Sequence, residues 1–452
     1  MKKTPLKPTD PPPAGRRVIG LDAHPDSFTA ACLLGSTPAS ASVEKTFNKV
    51  PLAQLQKWAS KHTTAQDLIV LEASGNSFQI VRALAAVERP ALVLESAQLG
   101  KLKEAHANND KISAVRIGKA YLAGTAKVVW VPDAPTQERR DLFHAHRKAV
   151  KRLTQMRNRL LSYLSDQGVR LKPGTRLTPA AQGQTRLRAA KAWTPRQWQI
   201  LEGHLLELGQ ADQQRVHWRS LIAQEVLADP KLLALVRLCG VREIVAFALG
   251  AIIGDITRFS EPRKLVKYIG LNPAFDDSGE GQWHGGIGGH GRKDLRALLI
   301  QAAHAILRSK NQPLAKWGWK LFARKGVRNV AVAAVARKLT VAIWYLMMGK
   351  WTAVEEIDAG LSRKVGQLIT QAGSEGRKRL GKTRPALRAE TFQALKAGQA
   401  AAPAPKAAIP PAAEPEPPAP AAKVYGLKPD LKFTPKRRTP KAQSEPLGKV
   451  AG

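Results

Sequence analysis

The sequence predicts a mixed α/β domain near the N-terminus, followed by mostly helical segments and bounded by two tails that form no core. Residues 16–134 contain short apolar runs that alternate with helical patterns. From residue 135 onward, apolar residues recur mainly at helical spacing, and both ends of the chain are rich in proline. The 452 residues suit two to four domains, and a hydrophobic content of 44% is enough to bury a core.

The first domain, residues 16–134, begins with three strands and continues with alternating helices and strands. The predicted strands are 16–22, 28–34, 42–47, 68–72 and 91–94, and the predicted helices are 52–61, 78–87, one from Ala97 and one from about Asp110. Three consecutive strands followed by alternating α and β elements are typical of an RNase H-like mixed sheet.

The second segment, residues 135–230, is basic and helical. Between residues 139 and 196, fifteen Lys or Arg residues stand against two acids. One helix has an apolar seam at a/d spacing and a basic back, which is typical of a coiled coil. The seam residues are Leu142, Ala149, Leu153, Met156, Leu160 and Tyr163. Pro173 and Pro179 interrupt the pattern before a second helical run at 198–227, so we expect an antiparallel helical pair.

A third, mainly helical unit is predicted at residues 231–350. Its Gly/Asp/Ser-rich centre, 276–291, has the composition of a loop and precedes a long amphipathic helix. Residues 351–397 are a predicted helical extension. The arm at 1–15 and the Pro/Ala/Lys tail at 398–452 are predicted to be disordered, because such compositions cannot bury a core.

A short run near the start of the third unit has two interpretations. Leu238-Cys239-Gly240-Val241 is similar to a helix-hairpin-helix turn, whose backbone amides bind a DNA phosphate. Arg242 stands where that motif usually has a second glycine. A plain corner between two packed helices explains the run equally well.

Charge and cysteine content restrict the class of protein. A formal net charge of +37 indicates a polyanionic partner. The two cysteines, Cys32 and Cys239, cannot supply a disulfide framework or a four-cysteine zinc site. There is neither an apolar run of 18 residues nor an apolar segment near the N-terminus, so we expect no membrane span and no signal peptide. The small number of cysteines fits a reducing cytoplasm, which is the expected location.

Three carboxylates are candidate metal ligands. Asp22 and Glu72 end predicted strands that would be neighbours in an RNase H-like sheet, and Asp110 opens a helix. Carboxylates that converge at one sheet edge repel one another unless cations lie between them, so the pattern suggests Mg²⁺ that holds a scissile phosphate. The alternative is that Asp22 is a turn residue, Glu72 a surface charge and Asp110 a helix cap.

Ser278 is a candidate nucleophile, in the run Asn272-Pro273-Ala274-Phe275-Asp276-Asp277-Ser278-Gly279. A serine that attacks a phosphate needs an exposed position and nearby cations. Arg292, Lys293 and Arg296 follow downstream and could supply them. Ordinary turn chemistry explains Asp-Asp-Ser-Gly as well.

These motifs, in this order, resemble a known family. The first domain contributes Val18-Ile19-Gly20-Leu21-Asp22, Val70-Leu71-Glu72-Ala73-Ser74-Gly75 and Asn109-Asp110-Lys111-Ile112-Ser113-Ala114. The third unit contributes Ile253-Gly254-Asp255-Ile256-Thr257-Arg258-Phe259, Tyr268-Ile269-Gly270-Leu271-Asn272-Pro273, Ser278-Gly279 and Gly291-Arg292-Lys293-Asp294-Leu295-Arg296. Over residues 16–350 the chain resembles the bacterial insertion-sequence transposases of the IS110 family. That family joins a RuvC-like Asp-Glu-Asp-Asp domain to a helical segment and a C-terminal transposase domain.

The resemblance implies a recombinase that cleaves and exchanges DNA strands to move its own element. Asp22, Glu72 and Asp110 would bind Mg²⁺, and Ser278 would form a covalent phosphoserine link to DNA. The resemblance also implies a structured guide RNA, and a dimer or tetramer that brings element ends and target together. The predicted nucleic-acid-binding residues are Arg147, Lys148, Lys151, Arg152, Arg157, Arg159, Arg292, Lys293 and Arg296.

One departure from the family motif affects the metal site. Ser113 stands where the family has its fourth acidic residue. Two alternatives to the recombinase stay open. One is an RNase H-like structure-specific nuclease that uses water as the nucleophile, and the other is a decayed relative that binds nucleic acid without catalysis.

Overall fold

The computed structural model describes residues 17–96, 109–171, 174–175, 177, 179–189, 193–278, 281–288, 290–309, 312–350 and 360–400. The predicted helix from Ala97, the arm 1–15 and the tail from residue 401 lie outside these ranges. Every described residue belongs to one compact unit, residues 1–404.

The N-terminal sheet has six strands in the order β3-β2-β1-β4-β5-β6. The strands are β1 Val18–Ala23, β2 Ser27–Leu34, β3 Ser42–Pro51, β4 Leu68–Glu72, β5 Ala91–Leu94 and β6 Val128–Val129. β1 pairs antiparallel with β2 and parallel with β4, so the sheet is mixed. The mixed α/β prediction is confirmed. The two-residue strand β6 was missed, because two residues show no periodicity.

Helices cover both faces of this sheet. On one face lie α1 Leu55–His62, which follows a 3₁₀ turn at Leu52–Gln54, and α2 Ser77–Ala85; on the other lies α3 Asp110–Leu122. The alternation of side chains along β1 explains the two layers. Ile19 and Leu21 are buried against α1 and α2, and Val18 is buried against α3.

A long antiparallel helical pair follows, as predicted. α4 is Ala134–Asp166 and α6 is Pro195–Ala228, with a shorter α5, Pro179–Ala189, between them. Arg139 Nη1 near the start of α4 lies 2.9 Å from Asp229 Oδ2, just beyond the end of α6. At the other end, the Tyr163 hydroxyl donates to the Gln197 carbonyl at 2.9 Å. The apolar seam between the helices includes the predicted Met156 and Leu160.

The remaining elements are helical except for one β-hairpin. The helices are α7 Pro230–Leu235, α8 Glu243–Ile253, α9 Pro262–Ile269, α10 Lys293–Arg308, α11 Pro313–Lys325, α12 Arg328–Met347, α13 Leu361–Arg379 and α14 Arg384–Ala400, with a 3₁₀ turn at Ile256–Arg258. α14 therefore extends into the first residues of the predicted tail. The hairpin consists of β7 Pro273–Ser278 and β8 Gly281–Ile287.

The hairpin replaces most of the loop predicted at 276–291. Asp277 pairs with Gln282 and Ser278 with Gly281, so this turn-like composition continues into the extended strands. Glycines in β8 weaken the alternating pattern by which a strand is recognised, which explains why the sequence suggested a loop.

α12 is long and apolar enough, by length and composition, to cross a membrane. Its side chains nevertheless line the largest core, where Val335, Leu339 and Ile343 are almost inaccessible to solvent. The Trp344 indole also donates to the Phe259 carbonyl at 2.9 Å. These contacts are those of a buried core helix.

Candidate active site

Asp22 and Glu72 lie at the same edge of the sheet, on adjacent parallel strands. Leu21 of β1 pairs with Leu71 of β4, so the next residues along each strand are neighbours across the pair. Asp22 and Glu72 follow the same alternation as Val18 and Val70, whose side chains are buried beneath α3. Both carboxylates therefore lie on the α3 face of the sheet, as the strand-end pattern predicts.

Gly20 allows α3 to lie directly on β1. A Cβ atom on Gly20 would stand 1.9 Å from the Ala114 carbonyl oxygen and 2.9 Å from the Gly118 backbone nitrogen. Asp110 is four residues, about 6 Å, before Ala114 along the helix. Asp22 is two residues, about 6.6 Å, beyond Gly20 along the strand. Because α3 crosses β1 closely at Gly20, and both distances are similar, Asp110 at the start of α3 lies near Asp22.

Asp110 is the first residue of α3, and Asn109 is its N-cap. The Asn109 side chain accepts a hydrogen bond from the Ile112 backbone nitrogen at 2.9 Å. The capping role that sequence reasoning considered for Asp110 belongs to its neighbour. The Asp110 carboxylate is thus available to the sheet edge.

Three side chains converge at this edge. Among the described residues, one carboxylate oxygen each from Asp22 and Asp110 and one imidazole nitrogen of His24 all lie within 4.8 Å of one another. His24 Nε2 is 3.5 Å from Asp110 Oδ1 and 4.0 Å from Asp22 Oδ2. Glu72 is not one of these three side chains. It lies on β4, whose backbone runs beside that of β1 at the usual strand spacing of about 4.8 Å. The sequence prediction includes both aspartates and does not include His24.

The loops that carry these residues are fastened to each other. The Asn76 side chain, at the start of α2, donates to the His24 carbonyl at 2.9 Å. Asn76 in turn accepts from the Ser74 hydroxyl at 3.0 Å. These bonds join the turn after β1 to the loop after β4, and so fix the spacing of the segments that end in Asp22 and Glu72.

Ser278 is the last described residue of β7, at the tip of the hairpin, where it pairs with Gly281. The side chains of residues 274–285 lie outside what the structure describes, so its hydroxyl remains a sequence prediction. The base of the hairpin is tightly held. A Cβ on Gly270 would lie 1.7 Å from the His290 carbonyl oxygen, and Arg296 Nη1 donates to that same oxygen at 2.8 Å.

The predicted nucleic-acid-binding residues of α4 divide into two groups. Arg147, Lys148, Lys151, Arg152 and Arg159 are exposed. Arg157 is half-buried and donates to the Thr175 carbonyl at 2.6 Å. The exposed group forms the basic back of the helix that the seam predicts.

The basic residues of α10 meet those of α4 at Asp294. Arg292 donates to both Asp294 carboxylate oxygens, at 3.1 and 2.7 Å, and Arg147 Nη1 lies 3.7 Å from Oδ2. Burial is the largest single influence on Asp294 and opposes its ionisation. The hydrogen bonds and charge of Arg292, the Leu295 backbone N–H and the charge of Arg147 together outweigh it and keep the pKa of this carboxyl below its usual range. Lys293 is exposed, whereas Arg296 uses its guanidinium to hold the hairpin base.

The same region is similar to known proteins. Residues 233–317 match the family described as "Transposase IS116/IS110/IS902 family", a span that includes the hairpin and the whole of α10. The transposase for insertion sequence element IS1111A of Coxiella burnetii is 25% identical over 282 residues, which are 62% of this chain and 77% of that protein.

Two further relatives match over shorter spans. The putative transposase y4qE of Sinorhizobium fredii is 26% identical over 244 residues, 51% of this chain and 56% of that protein. A probable family 20 transposase of Pseudomonas aeruginosa is 31% identical over 129 residues, 28% of this chain and 38% of that protein.

Proposed function

The chain belongs to the IS110 family of insertion-sequence transposases, and from that premise we propose that it cleaves and exchanges DNA strands with Ser278 as nucleophile and a metal-binding carboxylate site. The observation that carries the proposal is the convergence of Asp22 and Asp110, with Glu72 on the adjoining strand, at one sheet edge. An RNase H-like fold for this domain is part of the proposal, and the strand order β3-β2-β1-β4-β5 supports it.

The donor set suits a divalent cation. Ligands that surround one ion at about 2.0–2.2 Å lie between about 3 and 4.4 Å from one another. The 3.5 and 4.0 Å separations at His24 fall within this range. Asp22, Asp110 and Glu72 would hold Mg²⁺, and the bound ion would supply positive charge to a phosphate in the transition state.

The chain's own residues then perform a transfer at phosphorus. The Ser278 oxygen forms a bond to phosphorus and loses its proton, one P–O bond of the DNA backbone breaks, and the departing deoxyribose oxygen leaves as a hydroxyl. The product is a covalent phosphoserine link that a second DNA hydroxyl can attack, which restores the serine. Basic groups near the hairpin, Lys293 and Arg147 among them, would bind the surrounding phosphates.

The proposal extends to the partners of the protein. DNA is the substrate of a transposase, and the exposed bases of α4 supply a surface for element ends, for target DNA or for a guide RNA. We propose a dimer or tetramer, since two half-sites must meet during strand exchange. Such a complex would act in the cytoplasm, at the nucleoid.

Ser278→Ala is the direct test. We expect this variant to bind DNA that carries an element end as the unaltered protein does, and to form no covalent protein–DNA adduct, because the attacking oxygen is gone. Adducts are measured by denaturing electrophoresis of labelled DNA. Ser260→Ala, which alters an exposed serine in the same region, is the matched control and should form adducts normally.

The same experiment separates the alternatives. A nuclease that activates water would still cut DNA after Ser278→Ala, and either cutting or adduct formation by that variant would contradict the serine mechanism. A decayed relative would bind DNA but form no adduct even without a substitution. Ser113, at the position of the family's fourth acid, is the feature that favours this last alternative.

A further inference from the structure

The metal site contains a side chain that the family motif does not include. The family's fourth acidic residue corresponds to Ser113, one helical turn after Asp110 on the same side of α3. A serine hydroxyl carries no negative charge and is a weaker ligand than a carboxylate. The chain therefore has one strong donor fewer along α3 than its motif requires.

His24 lies where it can replace that donor. It follows β1 by one residue, and its Nε2 faces the carboxylates of both Asp22 and Asp110. The separations of 3.5 and 4.0 Å exceed the 2.7–3.2 Å of a well-made N–H···O hydrogen bond. They match instead the distances between ligands of a shared cation.

The position of His24 is fixed by contacts outside the group of ligands. Its backbone nitrogen donates to the Ser27 carbonyl at 2.8 Å, which closes the turn between β1 and β2. Its carbonyl accepts from Asn76 at 2.9 Å. Both main-chain groups of His24 are therefore held, and the side chain is 47% exposed, so its imidazole is open to an ion from solution.

We infer that His24 is a metal ligand of this chain. It takes the place of the family's fourth acidic residue, whose position Ser113 occupies. The inference rests on the proposed carboxylate metal site. An imidazole nitrogen also changes the choice of ion, because nitrogen ligands favour transition metals, whereas carboxylate oxygens alone suit Mg²⁺. The site would thus bind Mn²⁺ more tightly relative to Mg²⁺ than a site built from carboxylates only.

Metal titrations of the full-length protein, freed of nucleic acid, test this inference. Mn²⁺ binding is measured by the electron paramagnetic resonance signal of the free ion, and Mg²⁺ binding by calorimetry. We expect His24→Asn to weaken Mn²⁺ binding at least about 10-fold and to weaken Mg²⁺ binding less. His24→Asp, which supplies a fourth carboxylate, should retain Mg²⁺ binding and lower the preference for Mn²⁺.

Two further variants separate this inference from the proposed function. Asp22→Asn should abolish binding of both ions, while His217→Asn, which alters an exposed histidine on α6, should change neither. If His24→Asn binds Mn²⁺ as the unaltered protein does while Asp22→Asn does not, His24 is not a ligand and the carboxylate site stands. If Asp22→Asn also binds normally, both the inference and the proposed metal site are overturned. An equal loss of Mn²⁺ affinity in His24→Asn and in His217→Asn would likewise contradict the inference.

Discussion

Arg140 shows that a basic residue in a basic segment need not contact nucleic acid. Its guanidinium is buried and donates to the carbonyls of Ala251 and Ile252, both at 3.0 Å. These carbonyls end α8, where a positive charge interacts favourably with the helix dipole. The Arg140 guanidinium also lies 5.0 Å from the Trp130 ring centre. Arg140 is one of the fifteen basic residues of the segment 139–196, and its contacts make it a link between α4 and α8.

His146, two turns along α4, should make the stability of the protein depend on pH. Burial lowers the pKa of His146 to about 4, and the nearby Arg219 and Arg215 act in the same direction, with Glu243 opposed. The unfolded chain binds this proton at a pKa near 6.5, so between pH 6.5 and pH 4 the unfolded state holds more protons. The contribution of His146 to the free energy of unfolding is complete above pH 6.5. It declines as the pH falls towards 4, by about 3 kcal/mol in total.

His146→Leu removes this dependence. Because His146 Nδ1 is buried with no hydrogen-bond partner among the described residues, the leucine variant should also lose no stability at neutral pH. The free energy of unfolding from urea titrations across this pH range measures both effects. His217→Asn, at an exposed site, serves as the control. A profile for His146→Leu that parallels that of the unaltered protein would show that His146 binds its proton in the folded state as readily as in the unfolded one.

Local sequence rules predict two of the three side chains that converge at the sheet edge. Asp22 follows from the end of an apolar strand and Asp110 from the start of a helix, and these two positions can be inferred without coordinates. His24 was missed because its approach to Asp110 depends on how α3 crosses β1. The sequence does place His24 two residues after Asp22, a candidate ligand. That spacing indicates a shared site only when the turn between β1 and β2 is known to bring the two side chains together.

At the scale of elements, the crossing of α3 over β1 determines the geometry of the site. Gly20 is required, because a Cβ there would overlap the Ala114 carbonyl oxygen, whereas a Cβ on Gly118 would meet the end of a side chain, Leu33 Cδ1, at 2.4 Å. At Gly20 the helix rests on the strand backbone and leaves no room for a methyl group. A small change at this crossing should therefore move Asp110 relative to Asp22.

Gly20→Ala tests that dependence. The added methyl group would overlap the Ala114 carbonyl, so we expect the free energy of unfolding to fall by about 3 kcal/mol, and Mn²⁺ binding to weaken in the protein that remains folded. Gly75→Ala is the matched control, because no atom lies within 4 Å of its new Cβ. Urea titration and metal titration measure the two effects. Unchanged metal affinity in a destabilised Gly20→Ala protein would show that the crossing does not position Asp110.

The turn between α7 and α8 favours the packing interpretation of its sequence. Gly240 has a φ of +79°, and a Cβ there would lie 2.6 Å from the Ala302 carbonyl oxygen of α10. The carbonyls of Val236, Leu238 and Val241 all accept from the Lys364 ammonium, at 3.2, 2.7 and 3.1 Å. The turn thus joins α10 and α13, a role that the local sequence cannot reveal because Lys364 is more than 120 residues away.

At the scale of the whole molecule, the order of elements was largely predictable and their contacts were not. The apolar runs predicted the sheet strands, and apolar residues at helical spacing predicted the helical pair, because burial determines both patterns directly. The hairpin was less visible, since it is short and rich in glycine. The packing role of the linker after β6 is likewise not predictable from the sequence. Trp130 there lies 4.5 Å from the Arg258 guanidinium, and its ring occupies the space beside Gly254.

These contacts bear on the central claim, that the carboxylates of the first domain and the Ser278 hydroxyl act on one phosphodiester. The claim joins two regions that are far apart in the sequence. Asp22 and Glu72 belong to the sheet and Asp110 to the helix that crosses it, whereas Ser278 belongs to the span that matches the transposase family. If both regions serve one reaction, the loss of a single carboxylate must prevent a covalent step at a distant serine.

The most direct measurement is therefore to trap the covalent adduct on DNA that carries an element end and to locate it by mass spectrometry of the digested protein, with and without Asp22→Asn. We predict one modified peptide, linked to DNA through Ser278, and no adduct in Asp22→Asn even though this variant still binds the DNA. An adduct on another residue, or an undiminished Ser278 adduct in Asp22→Asn, would contradict the claim.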